Sequence, residues 1–415
     1  MKMEKCCSSS FKPFKVPLLW VFTVLFFAYQ FGMRVSIPNV LNEDLQRHFA
    51  IGSKELGALI STAYMTYMLM QIPVGIFIDK ISLKKIVFLS FFFTSLSLIS
   101  FVSTKSLFIA WISQIILGAA TASGFAMIYK IANICFPRGK IAIATSLAIS
   151  LSSLGVVGFG IMMAHLSKEF YWRDVVLVLG TIGLLFSGIL LLFVPDIEND
   201  TEEETHEHKS GVFDTAKIIF GKQKFLLIGF FSMMIYGTGS AFSETWGVSF
   251  IKHIYNVDIV EATSIVTMHF VGIVVGGLIL AYFSEILRSY TKMMVIGSSM
   301  LFGAIIIIAF GNVHLYLLHF IVFLLGAAAS CNTFSFLEAM SLLPKKIGGS
   351  VTGTLNTMTM LGSTIMIPTI GVIIDLSRGT NVTYCSADYH CGLLVLVVSS
   401  ATSVIAALCV RRCLK

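Results

Sequence analysis

The chain has 415 residues, of which 56% are hydrophobic and only 12% charged, with a mean hydropathy of +0.88. A soluble domain carries about 25% charged residues, so a soluble globular protein is excluded. The apolar runs are continuous rather than alternating, which excludes a β-barrel. The net charge of +7 does not point to nucleic acid, because the positive residues sit at the ends of apolar runs and no basic patch is interleaved with aromatics.

The N-terminal stretch MKMEKCCSSSFKPFK is basic and leads straight into a full-length apolar run with no small-residue cleavage site, so no cleaved signal peptide is expected. Twelve membrane-spanning helices are predicted, at roughly 16–40, 56–79, 85–103, 107–134, 141–165, 174–194, 225–250, 262–284, 292–311, 314–343, 349–376 and 391–410. Several exceed the ~20 residues needed to cross, as tilted or bent helices do. With the N-terminus placed in the cytoplasm, the inner segments carry 20 Lys and Arg against 7 in the outer ones, and Arg34 and Lys130 within spans complete the 29. The positive-inside rule therefore puts both termini in the cytoplasm.

The longest polar interruption, 195–224, opens acidic (DIENDTEEETHE) and closes as a basic amphipathic stretch. It reads as a solvated linker with an interfacial helix. It divides the chain into a cytoplasmic tail (1–15), a six-helix bundle (16–194), the linker, a second six-helix bundle (225–410) and a tail (411–415). The halves look related. Lys140-Ile…Leu154-Gly155 matches Lys346-Ile…Leu361-Gly362, and Tyr29-x-x-Gly32 matches Tyr236-x-x-Gly239 at nearly the same offset. A shared offset points to duplication, the architecture of a two-bundle transporter.

Span 2 ends in QIPVGIFIDKISLKK, an apolar helix running into a dibasic turn. The spacing Gly-x3-Asp-Lys-x3-Lys-Lys resembles the signature between helices 2 and 3 of the major facilitator superfamily, with Ser82 where a second glycine is usual. The resemblance covers essentially the whole chain and implies an all-α membrane protein of twelve helices in two pseudo-symmetric six-helix bundles. It also implies a cytoplasmic gate at Gly75, Asp79, Lys80, Lys84 and Lys85, whose aspartate meets a helix end of the other bundle. A carboxylate at a helix N-terminus gains a few tenths to ~1 kcal/mol, enough to bias two nearly equal states.

RVSIPNV in span 1, YKIANICFP closing span 4, ETWGVSF in span 7 and GTLNTMTMLGSTIMIPTIGVIID in span 11 resemble a bacterial subgroup that includes the phagosomal nutrient transporters. That implies the bacterial inner membrane and uptake of amino acids or related metabolites. The RVS run is also similar to the Arg-Val-Asn of the organic-anion:cation symporters, with Met33 where those carry an acidic residue. Their span 4 coupling carboxylate maps near Thr121. Leu154-Gly155-Val156 lacks the proline of the drug/proton antiporters.

Ionisable residues inside a bilayer cost about 2.5–3.5 kcal/mol each on insertion scales, so each requires an account. Arg34 in span 1 reads as an anchor for a substrate carboxylate, whose two oxygens match its planar fork, or as a structural pair or a snorkelling side chain. Glu244 in span 7, at the same depth if the halves are duplicates, binds a substrate ammonium, carries the coupling proton, or pairs with Arg34. His269 and Glu338 are further proton-coupling candidates. For His269 packing is the plainer reading, and for Glu338 a gate or helix-end role. Lys130 near the cytoplasmic exit either snorkels or contacts the inner gate. Tyr64, Tyr67, Gln71, Gln114, Trp246 and Asn356 are candidate cavity residues, each equally readable as packing; Gln114 stands where many superfamily members carry arginine.

Cys385 and Cys391 share the last outer loop, bonded or free, and no cysteine spacing supports a metal or redox site. Asn381-Val-Thr383 is a sequon without meaning in a bacterium. No Walker loop, zinc spacing or serine–histidine–acid arrangement occurs, so no cofactor is expected, no enzyme, and a gradient rather than ATP as energy source. The resulting expectation is a monomeric alternating-access transporter taking up a small carboxylate-bearing nutrient, foremost an amino acid, with protons. Export of a siderophore or drug-like metabolite by proton antiport, or a non-transporting receptor on the same fold, are the alternatives.

Overall fold

Within a hydrocarbon layer every backbone N–H and C=O must find a partner inside the protein, and helices achieve this without neighbours. The computed structural model describes residues 15–137, 140–193, 218, 220–311, 313–344, 347–379 and 384–412, and they are helical almost throughout, with no strand among them. The first half comprises α1 (Lys15–Val40), α2 (Asn42–Phe49), α3 (Ser53–Lys80), α4 (Leu83–Ser103), α5 (Leu107–Thr121), α6 (Ser123–Cys135), α7 (Ile141–Glu169) and α8 (Trp172–Phe193). The second comprises α9 (Gln223–Ser240), a π-helical segment (Ala241–Trp246), α10 (Gly247–Tyr255), α11 (Ile259–Leu287), α12 (Tyr290–Phe310), α13 (Leu315–Ser330), α14 (Asn332–Leu342), α15 (Gly348–Arg378) and α16 (Ser386–Arg412).

Eleven stretches among the described residues are long and apolar enough to cross a membrane. The twelfth predicted span is α3, equally long at 28 residues but carrying Tyr64, Tyr67, Gln71 and Pro73. Most of the linker, the sequon and the basic residues 138, 345 and 346 lie outside the described residues.

Three local features depart from plain spanning helices. Predicted as an outer loop, 42–49 instead forms α2, whose Glu43 and Asp44 in the first turn and Arg47 and His48 in the last complement the helix dipole. It stops at Ala50, which has φ 53° and donates its N–H to the Gln46 carbonyl. The span between α13 and α14 tightens at Cys331, whose N–H reaches back three residues to Ala328. Between α9 and α10, the Gly247 N–H donates to the Phe242 carbonyl five residues earlier, widening the helix into a π-turn. A Cβ at Gly247 would sit 2.5 Å from that carbonyl oxygen, so only glycine closes this turn.

Within the first half α1 packs on α7, and α4 on α8 and α5. Within the second, α11 packs on α13, and α9 on α15 and α16. The halves meet along two seams, α3 against α15 and α7 against α11, and α1 lies on the π-segment.

Candidate functional site

The place where α1 meets the π-segment joins the two intramembrane charges of the sequence. Arg34 Nη2 lies 4.0 Å from Glu244 Oε2, with both side chains almost wholly buried. Tyr64 of α3 donates to the same Oε2 at 2.6 Å, and Tyr236 of α9 donates to Oε1 at 3.5 Å. The Arg34 guanidinium carbon lies 4.9 Å from the Tyr64 ring centre, 5.3 Å from Tyr67 and 5.4 Å from Phe31. Such aromatic faces attract a desolvated cation. They do not satisfy its N–H groups, and Nε and Nη1 have no hydrogen-bond partner. A guanidinium in this condition retains two donor nitrogens for an incoming anion.

Beside it is a cavity of about 20 Å³, lined by Arg34, Tyr64, Gln114, Ser97 and Ser113 among apolar neighbours including Leu98 and Phe101. That is room for about one water. The π-turn directs Glu244 here, and Asn39 clamps the turn from α1. Its Nδ2 donates to the Ser243 carbonyl at 2.7 Å and its Oδ1 accepts from the Val248 N–H at 3.1 Å. Asn42 adds a 3.4 Å bond to the Thr245 carbonyl.

Of the predicted cavity residues, the structure brings Arg34, Glu244, Tyr64, Tyr67 and Gln114 together. Gln71 follows one turn below Tyr67, to which it hydrogen-bonds, and its Nε2 is unpartnered. Trp246 does not join them: it is fully buried and donates its indole N–H to the Ile367 carbonyl at 3.0 Å, wedging the π-segment against α15. Asn356 is half-buried on α15 and is not among the described contacts of the pair.

The other candidates stand apart. His269 is buried within the second half, its ring 3.4 Å from the Cβ position of Gly239 and edge-on to Phe270. Glu338 forms a 2.6 Å ion pair with Lys224 at the start of α9, a tie within the second half. Lys130 reaches the Ile78 carbonyl in the last turns of α3 at 2.8 Å, and Lys84 bonds the Leu191 carbonyl of α8 at 2.9 Å, within its own half. Lys85 is exposed. The side chains of Asp79 and Lys80, and the surroundings of Gly75, lie outside the described residues. Cys385 and Cys391 are both free. No group of three His, Cys, Asp or Glu gathers at a metal-binding spacing among the described residues.

The sequence reading missed Tyr236, Asn39 and Phe31 as parts of this site. Tyr236 was visible only as the repeat partner of Tyr29, and Asn39 only inside the RVSIPNV run.

One end of the site is shut by contacts between the halves. Lys252 of α10 grips both oxygens of Glu43 at 2.7 and 2.8 Å, with His253 Nε2 at 3.5 Å. Lys168 meets Asp258 at 2.8 Å. Asp375 of α15 accepts from the N–H groups of Ser53 and Lys54 at 3.2 and 2.7 Å, and from the Tyr384 hydroxyl at 2.6 Å. An acidic side chain thereby caps the N-terminus of a helix in the opposite half.

The family model described as Major Facilitator Superfamily matches residues 22–367. The uncharacterized transporter YybO of Bacillus subtilis is 25% identical over 268 residues, covering 60% of this chain and 61% of its own length. The probable galactarate/D-glucarate transporter GarP of Escherichia coli is 27% identical over 191 residues, 45% of this chain and 42% of its own. The hexuronate transporter of Bacillus subtilis is 22% identical, over 60% of each. The chain thus spans less than two-thirds of the length of each curated relative it matches here. Among solved structures, the nucleoside transporter NupG superposes with a TM-score of 0.74 at 16% identity, covering 97% of this chain and 99% of that one. A bacterial homolog of the human lysosomal transporter Spinster, inward-facing and occupied, gives 0.74 at 16% over 96% of each. At that identity the likeness is one of fold.

Proposed function

The chain belongs to the Major Facilitator Superfamily, and from that premise we propose that it is a secondary transporter, not an enzyme, taking up a small carboxylate-bearing nutrient by alternating access. The halves 16–194 and 225–410 rock about the Arg34–Glu244 pair. The protein resides in the bacterial plasma membrane with both termini cytoplasmic. In this orientation the end sealed by Glu43–Lys252 and Asp375 faces outward, and solute leaves toward the cytoplasm.

The observation that carries the reading is the state of Arg34: buried, 4.0 Å from one carboxylate oxygen, and with Nε and Nη1 unsatisfied. A buried donor without a partner costs about 1–3 kcal/mol, more when charged. A substrate carboxylate relieves part of that cost with two parallel charge-assisted bonds, which join Nη2 to either Nε or Nη1 on one edge of the guanidinium. Glu244, accepting from Tyr64 and facing Arg34, is then free either to meet a substrate ammonium or to take a proton as the anion displaces it from the guanidinium. The first suits an amino acid, whose two charges match the pair. The second suits a sugar acid, favoured by the relatives that carry galactarate, glucarate and hexuronate in their names, and couples one proton to each anion.

Purified protein screened by thermal shift against amino acids, sugar acids, nucleosides and other carboxylates names the ligand. Proteoliposome uptake under an imposed proton gradient then tests the anchor. Arg34→Ala abolishes uptake of every carboxylate substrate in this reading, and unchanged uptake refutes it. Glu244→Gln separates the two classes. It eliminates binding of a zwitterion, whereas a sugar acid still binds and exchanges but no longer accumulates with the gradient. Substrate movement only out of the cytoplasmic compartment establishes export instead, and binding without counterflow establishes a receptor.

A further inference from the structure

The turn Ile81–Ser82 joins α3 directly to α4, yet the two helices pack on α5 and, for α4, on α8 rather than on one another. Their divergence leaves a cavity of about 490 Å³, remote from Arg34 and walled by Met70, Val74 and Ile78 of α3, Phe93 of α4, and Ile115 and Ala119 of α5. Its lining is apolar apart from two hydroxyls, Ser90 and Ser123, which bond each other at 2.7 Å. Phe93 and Ile115 remain 41% and 46% exposed on its rim, so the cavity opens sideways off the bundle. α4 and α5 lie in stretches long and apolar enough to cross a membrane, and the opening therefore faces hydrocarbon rather than water.

From Met70 to Ile78 the groove follows nine residues of α3, about 12 Å at ~1.5 Å per step, and Ile81 of the following turn extends it. Together that is roughly half of a ~30 Å hydrocarbon core. An apolar cavity of this kind stays dry, and unfilled it forfeits the dispersion contacts of its whole lining. Bulk lipid fills such a surface without preference. The end near Ile86 adds a preference, because Lys85 stands there exposed, one turn before the rim residue Leu89. The adjacent Lys84 is already engaged with Leu191. Among the described residues, an exposed ammonium without a side-chain partner at the end of an acyl-chain-length groove matches one molecular shape, an anionic headgroup on a hydrocarbon tail.

We propose that the groove between α3 and α4 is a binding site for one anionic phospholipid, its acyl chain lying along α5 and its phosphate held by Lys85. The groove is separate from the Arg34–Glu244 pair, which none of its lining residues touches among the described contacts, although Lys85 is also one of the gate residues that the resemblance implies.

The test compares protein reconstituted in nanodiscs of mixed phosphatidylglycerol and phosphatidylcholine, followed by native mass spectrometry of retained lipid. The wild-type protein should retain phosphatidylglycerol in about fivefold preference, the equivalent of the ~1 kcal/mol that one basic residue contributes near an anionic surface. Lys85→Gln, an exposed change that leaves packing intact, should abolish the preference while lipid is still retained. Ala119→Phe should fill the groove and lose the lipid. Should Ala119→Phe fail to fold, phosphatidylglycerol carrying a diazirine on its acyl chain supplies the second measurement, by labelling 86–93 and 115–120 of the wild-type protein. Equal retention of both lipids, a preference that survives Lys85→Gln, or labelling spread evenly over the exposed helices each overturns the proposal.

Discussion

The Tyr64 hydroxyl of the first half donates a 2.6 Å hydrogen bond to Glu244 of the second, on the carboxylate oxygen that faces Arg34. Three residues from three segments thus form one charge network across the junction of the two halves. Tyr64→Phe removes the shortest bond in it and leaves Glu244 with the 3.5 Å contact to Tyr236. Hydrogen bonds to charged groups contribute about 1.5–3 kcal/mol, and the variant should lose that much stability in a denaturant titration of the detergent-solubilised protein. Because Tyr64 and Glu244 share the interaction, combining Tyr64→Phe with Glu244→Gln should cost less than the sum of the single changes, by more than ~0.5 kcal/mol. Strict additivity would mean that the two groups are not coupled.

Arg34→Lys tests whether charge alone is enough. Lysine keeps the positive charge and part of the attraction to Phe31, Tyr64 and Tyr67, but has no planar fork. The initial uptake rate should fall at least about tenfold, or ~1.4 kcal/mol, toward that of Arg34→Ala. The melting temperature should move far less than in Arg34→Ala. An unchanged uptake rate would show that the site needs only a point charge.

How far the sequence foretold this site depends on what each residue costs in a bilayer. Arg34 and Glu244 stood out because an ionisable group inside a span is expensive wherever its partner lies. Tyr236 and Asn39 carry no such penalty, and their roles depend on which helix faces which. The π-turn that aims Glu244 requires the i→i−5 bond from Gly247 to Phe242, and an apolar run reads the same with or without it. Trp246, two residues from an acidic residue in a span, reads as a cavity aromatic; its indole instead finds the Ile367 carbonyl. The helix α2 was hidden because its eight residues are too short and too polar to register as a span. Hydrophobic runs set the number and order of the helices, whereas partners of uncharged polar groups are decided by tertiary packing.

The sealed end should respond to its charges. Glu43 and Lys252 are each about a third exposed, so water screens their pair to about 0.2–1 kcal/mol. Glu43→Gln or Lys252→Met should shift the equilibrium between closed and open ends by up to about fivefold. Spin labels at Arg47→Cys and Asn256→Cys, both exposed positions, report this as growth of a longer-distance population. The exchange Glu43→Lys with Lys252→Glu should restore the wild-type distribution, unless the contact is merely steric.

Acid should loosen the neighbouring tie. Asp258 caps α11 through the Glu261 N–H at 2.8 Å and meets Lys168 at 2.8 Å, and these bonds hold its carboxyl below the usual carboxylate range. A depressed value in the folded state means that the contribution is present above the unfolded pKa of ~3.9 and is lost as pH falls through the lower folded value. Because Asp258 is exposed, the effect is small. In Asp258→Asn the acid-dependent part of the melting curve below about pH 4 should be reduced relative to wild type.

The α3–α15 seam depends on backbone contact, which makes a single methyl group decisive. A Cβ on Gly371 would meet the Ser53 carbonyl oxygen, and one on Gly57 would lie 3.0 Å from the Ile367 carbonyl oxygen and the Pro368 Cα. These neighbours are main chain and cannot swing aside as a side chain would. Gly371→Ala should therefore push the N-terminus of α3 off α15 and break the bonds from Ser53 and Lys54 to Asp375, one turn further along. The open form of this end gains population, because in it the added methyl has no clash to relieve. A cysteine at Lys54, whose exposed side chain takes no part in the Asp375 bond, should react faster with an impermeant maleimide in Gly371→Ala than in the wild-type background. Gly353→Ala on the same helix is the control. Nothing lies within 4 Å of its Cβ position, and it gains the ~1 kcal/mol helical preference of alanine over glycine without touching the seam. If Gly371→Ala labels no faster than this control, the two helices do not part at Gly371 during the cycle, and the closure must be carried by α7 and α11.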